Sequence, residues 1–425
     1  MNPEEVLRAL DYIEENDVRF IRLQFCDLDG QNRNIAVSQP EFETALRDGC
    51  QFRSSAVTGF ESAGTPDLTL VPIPSTIQLL PWRPQQGSVA KVNCEIRYPD
   101  GTIFDADSRV ILKRITEYAR KRGVTFETGV KIEFYLFELD DEGKPTKTPV
   151  DQAGFFDLAP LDKGENTRRE IILTLEDMGF SIKSSHHETG SGQHEIDFNR
   201  ADPLTCADNI QTFKTVVKTI AQQNGMHASF MPKPLNGEPG SGMHVMISML
   251  ENLQDAFHSA DGLVSETGRA FSAGIMKYQQ EIIAVTNPSV NSYKRLAGGF
   301  IAPHDLKWAP TTDDTVIRIP EDPFDLTRVI IRSPDPSCNP YLAFAVLLAA
   351  GLSGIQEELR PEDWESDRLP FTLYEAVRKM KDSELVRKVL GDTVFETFTT
   401  RKVNEWNDYR STVHDWEYEH YFETV

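Results

Sequence analysis

The sequence has few cysteines and no long apolar run. Only five cysteines occur in 425 residues, and they are scattered singly without a CxxC spacing. Such cysteines fit buried, reduced thiols better than disulfides or a zinc site. No window contains the roughly 18 uninterrupted apolar residues that a membrane span requires. We therefore expect a cytoplasmic protein that has no membrane partner and does not depend on disulfides.

Basic residues are also scarce relative to acidic ones. Lys plus Arg total 44, Asp plus Glu total 66, and the formal net charge is -22. Nucleic acid and anionic membranes are not attracted to such a surface on average, so neither is expected as the main partner. The first segment, MNPEEVLRALDYIEEN, has the pattern of an acidic amphipathic helix and not of a signal peptide.

The length and the order of predicted elements indicate two domains. A chain of 425 residues is long enough for two or three units. After a helix over 3–16, the runs VRFIRLQFCDLDG and NRNIAVS predict a β-hairpin. Further strands are predicted over 68–72 and 88–97, and Ser108 is the expected N-cap of an amphipathic helix. We place the domain boundary near residue 104, which gives a small β-rich unit, 1–104, and a larger one, 105–425.

The larger unit mixes strands and long helices, which predicts an α+β domain with a mainly antiparallel sheet. Its predicted strands are 131–138, 194–199 and 244–249. Its predicted helices are 166–178, 203–224, 266–286 and 340–359.

Carboxylates and a histidine concentrate on three of these segments. Glu133 interrupts the apolar strand KIEFYLFE, where a carboxylate is stable only when it is paired or binds a cation. Glu188 and Glu195 bracket a glycine-containing turn in HHETGSGQHEIDF, and His244 follows a Gly/Ser turn. Such a ligand set suits Mg²⁺ or Mn²⁺. Each residue taken singly fits an ordinary solvated or ion-paired position better than a metal site.

Three arginines, Arg295, Arg318 and Arg332, occur near predicted strand ends. Arginines in so acidic a chain suit bidentate recognition of a carboxylate or a phosphate. A buried salt bridge to a local acid such as Asp335 is an equally good interpretation. Cation ligands and arginines together suggest phosphoryl chemistry.

At these residues the chain resembles the glutamine synthetase family, the ATP-dependent ligases that join ammonia to glutamate through a γ-glutamyl phosphate. The motifs IEFYLF, HHETGSGQHEIDF, FMPKP, GSGMH, NSYKRL, IRIP and RSPDPSCNPYLAFA occur in the family's order and close to its spacing. The resemblance runs from the first helix to the C-terminal tail. It implies a β-grasp-like N-terminal domain, a catalytic domain, and homo-oligomeric hexameric rings, often stacked as a dodecamer, with active sites between neighbouring subunits.

The resemblance also assigns roles. It implies that Glu133, Glu188 and Glu195 hold the first metal ion and that His244 belongs to the second metal site. The ligands implied are Mg²⁺ or Mn²⁺, ATP and glutamate. The residues implied to hold glutamate and the transferred phosphate are Arg295, Arg318 and Arg332, and the turn implied to contact the substrate amino acid contains Gly240.

Five positions depart from the family pattern. Arg53 stands where the family has an Asp that captures ammonium across the subunit interface, and Ile301 replaces the Glu of the flexible loop that closes the site. Lys131 and Ile330 replace two acidic ligands of the second metal, and Asp313 replaces an arginine that contacts the nucleotide phosphates. A Lys ammonium about 4 Å from a divalent ion repels it by roughly 8 kcal/mol at an effective dielectric near 20. We therefore expect one metal site, either because the second site is lost or because the Lys131 ammonium substitutes for its ion.

Two hypotheses follow from these departures. The chain is expected to have lost ordinary glutamine synthesis, or to retain very little of it, and to act as a ligand-binding, regulatory or structural oligomer, with an active glutamine synthetase paralogue as one conceivable partner. Alternatively it is an ATP-dependent γ-glutamyl ligase for an amine other than ammonium, since Ile301 and Arg53 favour an apolar or anionic amine.

Overall fold

A computed structural model describes residues 2–60, 66–83, 86–259, 264–297, 302–303, 305–309, 315–320, 326–364 and 368–425. Ile301 and Asp313, two of the predicted site positions, lie outside these residues. Along the described part of the chain, no helix combines the length and the apolar character needed to cross a membrane.

In its described residues, the N-terminal unit is a small sheet with two α-helices. The strands follow the order β2-β1-β6-β4-β3, β5 pairs with β6, and β1 runs parallel to β6 between antiparallel neighbours. This arrangement is the predicted β-grasp-like fold. Its elements are α1 (Pro3–Glu15), β1 (Val18–Cys26), β2 (Asn32–Ser38), α2 (Gln39–Asp48), β3 (Cys50–Phe52), β4 (Leu68–Pro72), β5 (Gln78–Leu79) and β6 (Ser88–Arg97).

Helix α2 lies in a segment for which the sequence pattern predicts no element. It begins with proline at its first turn and buries Phe42, Ala45 and Leu46 against the sheet. The spacing of these residues is helical, but only three apolar positions in a ten-residue helix make the pattern weak.

In the described part of the chain, the larger unit forms a ten-stranded sheet flanked by helices. Its main path is β14-β15-β16-β12-β7-β10-β9, and all of these pairs are antiparallel except β14 with β15. The predicted α+β fold with a mainly antiparallel sheet is therefore confirmed. The strands are β7 (Val124–Leu139), β8 (Pro145–Pro149), β9 (Ile182–His187), β10 (Gln193–Phe198), β11 (Met226–Ser229), β12 (Met243–Glu251), β13 (Gln254–Asp255), β14 (Asp305–Ala309), β15 (Thr315–Arg318) and β16 (Val329–Ile331).

The helices of this unit form its outer layer and its C-terminal tail. Helix α8 is buried along most of its length, as its apolar sequence requires, and it packs against α6. The helices are α3 (Ser108–Arg120), α4 (Glu165–Asp177), α5 (Pro203–Gln223), α6 (Glu266–Thr286), α7 (Val290–Ala297), α8 (Pro340–Gln356), α9 (Leu373–Lys381), α10 (Glu384–Leu390), α11 (Asp392–Ser411) and α12 (Asp415–Tyr421).

The N-cap of α3 differs from the prediction. Ser108 is the first helical residue, and Asp107 is the cap, because its carboxylate accepts hydrogen bonds from the backbone N–H groups of Arg109 and Val110. The other oxygen of Asp107 accepts from the N–H of Ile96 at 2.9 Å, which ties the helix start to β6. The two oxygens of a carboxylate can accept from the helix start and from β6 at the same time, whereas serine offers a single side-chain oxygen.

Polar contacts join the two units near the start of α8. Asn339 caps α8 with its carbonyl oxygen and donates from its amide to the carbonyl of Asp27 at 3.1 Å. The Cα of Gly30, at φ +80, lies so close that a Cβ there would be 2.8 Å from the Asn339 Cα. Within the larger unit, Arg109 of α3 forms a two-pronged ion pair with Asp208 of α5, with distances of 3.0 Å. The boundary near residue 104 falls between β6 and α3 and stays a prediction.

Lys91 of β6 is buried, with 2% of its surface exposed. Burial lowers the Lys91 pKa to about 8 from 10.5. Attraction to Asp208 opposes this shift in part, and repulsion by Arg109 adds to it. Below pH 8 the ammonium is charged in both the folded and unfolded states, and the folded state carries the cost of burying it. Between pH 8 and 10.5 only the unfolded state keeps the proton, so stability rises with pH in this window.

We therefore expect Lys91→Met to raise the unfolding temperature at pH 7 and to lose its advantage as the pH approaches 10. The stabilisation at pH 7 should be on the order of 1–3 kcal/mol, because an apolar chain replaces a buried charge. Thermal unfolding at pH 7, 8 and 9.5 measures it. Lys121→Met, at an exposed position, is the control and should show a pH-independent difference. If the stability gain of Lys91→Met did not shrink as the pH rises, the Lys91 pKa would not be lowered in the folded state.

Candidate active site

One cavity of about 310 Å³ collects most of the predicted site residues. It lies on the face of the large sheet where β7, β10 and β12 run side by side. Arg53 is exposed and does not line it. Ten predicted positions do line it: Lys131, Glu133, Glu188, Glu195, Gly240, His244, Arg295, Arg318, Ile330 and Arg332.

Strand register explains this convergence. Glu133 of β7 lies opposite Glu195 of β10, and Lys131 lies opposite Asp197 on β10 and His244 on β12. Directly opposed residues of antiparallel strands project to the same face. The spacing of two residues between Lys131 and Glu133 therefore places both side chains over the cavity.

Glu133 and Glu195 are carboxylates held close together under partial burial. Atoms of Glu133, Glu195 and His244 lie within 4.8 Å of one another. Burial, followed by repulsion from Glu188 and Glu195, raises the Glu133 pKa to about 8. Burial and the neighbouring Asp197 raise the Glu195 pKa to about 7. Converging oxygen ligands whose charges disfavour one another are a donor set that fits a hard divalent cation.

Glu188 extends this ligand set toward the cavity mouth. Atoms of His186, Glu188 and Glu195 also lie within 4.8 Å of one another, so Glu195 is common to both groups. His186 Nε2 is 3.1 Å from Glu188 Oε1. The three carboxylates that the resemblance assigns to the first metal are thus neighbours, and their assignment as ligands stays a prediction.

Hydrogen bonds fix the orientation of Glu133. Its Oε2 accepts from the backbone N–H of Gly242 at 2.8 Å and from the Gln193 amide at 3.2 Å. A Cβ on residue 242 would lie 2.6 Å from the Arg295 guanidinium, so only glycine lets the backbone N–H come this close to Glu133. Gln193 was not predicted as a site residue, although it lies two residues before Glu195 on the same face of β10.

Lys131 is an ion-paired cation. Its Nζ lies 2.9 Å from Glu195 Oε1 and 2.9 Å from Asp197 Oδ2. Burial lowers its pKa, but the attraction of Glu195 and Asp197 outweighs burial and raises the pKa to about 12. The ammonium is therefore permanently charged and occupies one oxygen of a predicted metal ligand. Asp197 was missed by sequence reasoning, although the alternation in HEIDF places it on the same strand face as Glu195.

His244 and Ile330 line the side of the cavity to which the resemblance assigns a second metal. Burial, followed by the charges of Arg332 and Arg295, lowers the His244 pKa well below its ordinary value, so the imidazole is neutral. A neutral imidazole is the form that ligates metals. Ile330 is 8% exposed and lines the cavity with hydrocarbon.

Arg295 has a structural setting different from the predicted one. It lies on helix α7, not at a strand end. Its guanidinium donates to the carbonyls of Ser333 at 2.8 Å and Arg332 at 3.0 Å, which clamps the loop after β16 against the cavity wall. No ion pair of Arg295 with Asp335 is recorded among the described residues, although Asp335 attracts the guanidinium electrostatically.

Arg318 and Arg332 are placed as the strand-end prediction requires. Arg318 ends β15 and Arg332 directly follows β16. Both line the cavity beside Gly240, where a Cβ would lie 2.5 Å from the Pro232 carbonyl oxygen. The arrangement offers cationic groups opposite the carboxylates, so the cavity has one face suited to a cation and another suited to an anion.

A buried network holds the turn that carries Glu188. His187 lies between Asp151, 3.1 Å from its Nε2, and the Glu188 carbonyl, 2.7 Å from its Nδ1. Asp151 also accepts from the N–H groups of Gly192 at 2.9 Å and Lys163 at 3.1 Å. Burial alone would raise the Asp151 pKa, but the His187 hydrogen bond and the backbone donors lower it to about 2. Asp151 was not predicted, because its partners are distant in sequence.

Two aromatic side chains form the mouth of the cavity. Phe155 and Phe156 are 52% and 64% exposed, and their ring centroids are 3.9 Å apart. The Phe156 ring centroid lies 4.9 Å from that of His186, and Phe156 has φ +64, a conformation that bulky residues rarely adopt. The mouth therefore presents an apolar surface next to the carboxylates.

Comparison with known proteins identifies the family of this chain. Residues 105–421 match the family model of the glutamine synthetase catalytic domain, and residues 17–99 match that of its beta-grasp domain. The chain belongs to the glutamine synthetase family. It is thus a member of a ligase family.

Whole-chain relatives carry the same family name. A glutamine synthetase of Clostridium saccharobutylicum is 47% identical over 431 residues, covering 97% of each chain. One of Staphylococcus aureus strain MW2 is 43% identical over 430 residues, covering 96% of each. Among solved structures, a chain of a GmaS/ADP complex in conformation 1 has a TM-score of 0.89 and 29% identity, covering 98% of this chain and 99% of its own.

The network beneath Glu188 can be tested by Asp151→Asn. The amide keeps one acceptor but presents an N–H₂ to a site filled with donors, so at least one buried partner is left unsatisfied. We expect a loss of about 2 kcal/mol in unfolding free energy, measured by urea unfolding at pH 7. Asp141→Asn, at an exposed turn, should change stability by less than about 0.5 kcal/mol. Equal stability of the two variants would show that the network does not hold the turn.

Proposed function

We propose that this protein is a ligand-binding member of the glutamine synthetase family whose site takes one divalent cation, Mg²⁺ or Mn²⁺, and makes glutamine from ammonium only slowly. The position of Lys131 carries this proposal. Its ammonium, 2.9 Å from both Glu195 and Asp197, supplies a fixed positive charge at the side of the cavity where the family places its second metal.

The proposed ligands follow from the two faces of the cavity. Glu133, Glu188 and Glu195 would hold the single cation, which would bind and polarise phosphate oxygens. The neutral His244 stands beside Ile330, so one acidic ligand of a second ion is missing there and Lys131 removes another. Arg318 and Arg332 would hold the anionic groups of glutamate or of a nucleotide such as ATP.

A homo-oligomer of hexameric rings, two of them stacked as a dodecamer, is proposed from family membership. In such an assembly the exposed Arg53 of one subunit would face the cavity of its neighbour. A guanidinium there would repel ammonium, which supports slow glutamine synthesis. An active glutamine synthetase paralogue is a proposed partner, because a mixed ring would retain working sites. Ile301 and Asp313 also support slow glutamine synthesis, but only as departures of the sequence from the family pattern.

Metal stoichiometry tests the one-cation proposal. Titration of the wild type with Mn²⁺, followed by calorimetry, should give one site per subunit. Lys131→Glu combined with Ile330→Glu should give two, because two carboxylates are restored beside His244. The matched control is Lys388→Glu combined with Ile172→Glu, which changes charge equally away from the cavity. Two sites in the wild type would overturn the proposal, whatever activity the protein has.

A second function, γ-glutamyl ligation of an amine other than ammonium, is favoured by the aromatic mouth. Phe155 and Phe156 would cover the hydrocarbon part of a primary amine while the adjacent carboxylates attract its cationic form before deprotonation. Ammonium has no hydrocarbon part and gains nothing from this surface. The single-cation site and this specificity are compatible with each other.

Release of ADP from ATP with glutamate and a panel of amines distinguishes the two functions. If the second holds, an alkyl or aromatic amine should turn over at least tenfold faster than ammonium, and Phe156→Ala should raise the KM for that amine with little effect on the ammonium reaction. Phe371→Ala, another exposed phenylalanine, is the control. If no amine caused ADP release while the protein bound nucleotide tightly, the ligase function would be excluded and the binding function would remain.

A further inference from the structure

A second cavity lies outside the candidate active site and shares no lining residue with it. Its volume is about 600 Å³, and it is formed by one face of α5, by β11 and by the loop before α8. We name it the basic cavity, after the three basic side chains that line it: Lys214, Lys218 and His227.

The basic cavity is unusual in so acidic a chain. No Asp or Glu is among the described residues that line it, although acidic residues outnumber basic ones by 66 to 44. Lys214 and Lys218 lie one helical turn apart on α5, so they project side by side. The ammonium groups of Lys214 and Lys218, without a lining carboxylate, create a positive potential inside a protein whose average surface is negative.

The partners of these groups do not neutralise them. Lys214 Nζ is 3.4 Å from the Cys338 carbonyl oxygen, and burial raises the pKa of the Cys338 thiol to about 12, so that thiol carries no negative charge. The Lys218 ammonium lies 5.9 Å from the Phe230 ring centroid, and the described part of the chain gives it no ion pair. Asp335 attracts Lys214 from outside the cavity but is itself bound by Ser337 and Asn287.

The pKa directions agree with this geometry. Burial lowers the pKa of Lys214, of Lys218 and of His227, and Lys218 lowers the other two further. The groups therefore repel one another, and a bound anion would relieve that repulsion.

We propose that the basic cavity binds an organic phosphate monoester, with Lys214 and Lys218 on the phosphate and Phe230 and Met231 against its organic part. The volume is far larger than inorganic phosphate needs and falls in the range of small-molecule sites, which favours a phosphate that carries an organic group. The apolar Phe230 and Met231 form part of the lining. A ligand held here would stiffen α5 and β11 without touching the candidate active site.

Calorimetric titration with phenyl phosphate and with inorganic phosphate tests the proposal, without added metal. Phenyl phosphate should bind more tightly than inorganic phosphate, and Lys218→Glu should weaken its binding at least tenfold. Lys218 is an exposed residue, so this variant should fold. The control Lys147→Glu makes the same charge change on an exposed strand position and should leave the affinity within twofold.

Hydrogen exchange locates the binding and separates it from the arginines of the candidate active site. Phenyl phosphate should slow exchange over 211–231 in the wild type and not in Lys218→Glu. The proposal is overturned if no saturable binding is found, if Lys218→Glu binds as the wild type does, or if protection is confined to β15 and β16.

Discussion

The crowding of the carboxylates of Glu133, Glu188 and Glu195, and its partial compensation by Lys131, is the constraint on which the chemistry of this site depends. The two glutamates face each other across paired strands, and burial prevents water from screening them. Their charges can be kept only if cations are supplied. Lys131 supplies one of these charges from within the chain, and the remaining carboxylate oxygens are ligands of the kind that suits a hard metal ion.

The surrounding framework holds these charged groups at short distances. Gly242 and Gln193 orient Glu133, while Asp151 and His187 hold the turn that carries Glu188. Arg295 contributes mainly through the loop that it clamps. Most of the fixed geometry thus comes from residues that need not contact a substrate. Replacing such residues would change the site by moving its ligands.

Because of Lys131, the function of this protein cannot be inferred from family membership alone. Relatives at 42–47% identity over nearly the whole chain share the fold and the name glutamine synthetase. A fold tolerates many chemistries, so function must be argued from the site. Here a fixed ammonium and an aliphatic side chain stand beside His244, and aromatic rings stand at the mouth. The proposed preferences for a cation and an amine rest on these features, whereas the sheet beneath them belongs to the family fold.

The sequence by itself determined the family, the two-part fold and most long elements, because apolar periodicity and several long motifs are local signals. It also placed Glu133 and Lys131 on one strand face, since that follows from the alternation of side chains. It did not determine that Lys131 pairs with Asp197, that Arg295 clamps a loop, that Asp151 supports Glu188, or that α5 and β11 enclose a basic cavity. These contacts join residues tens to more than a hundred positions apart, and their energies depend on burial and distance, which only the tertiary structure sets.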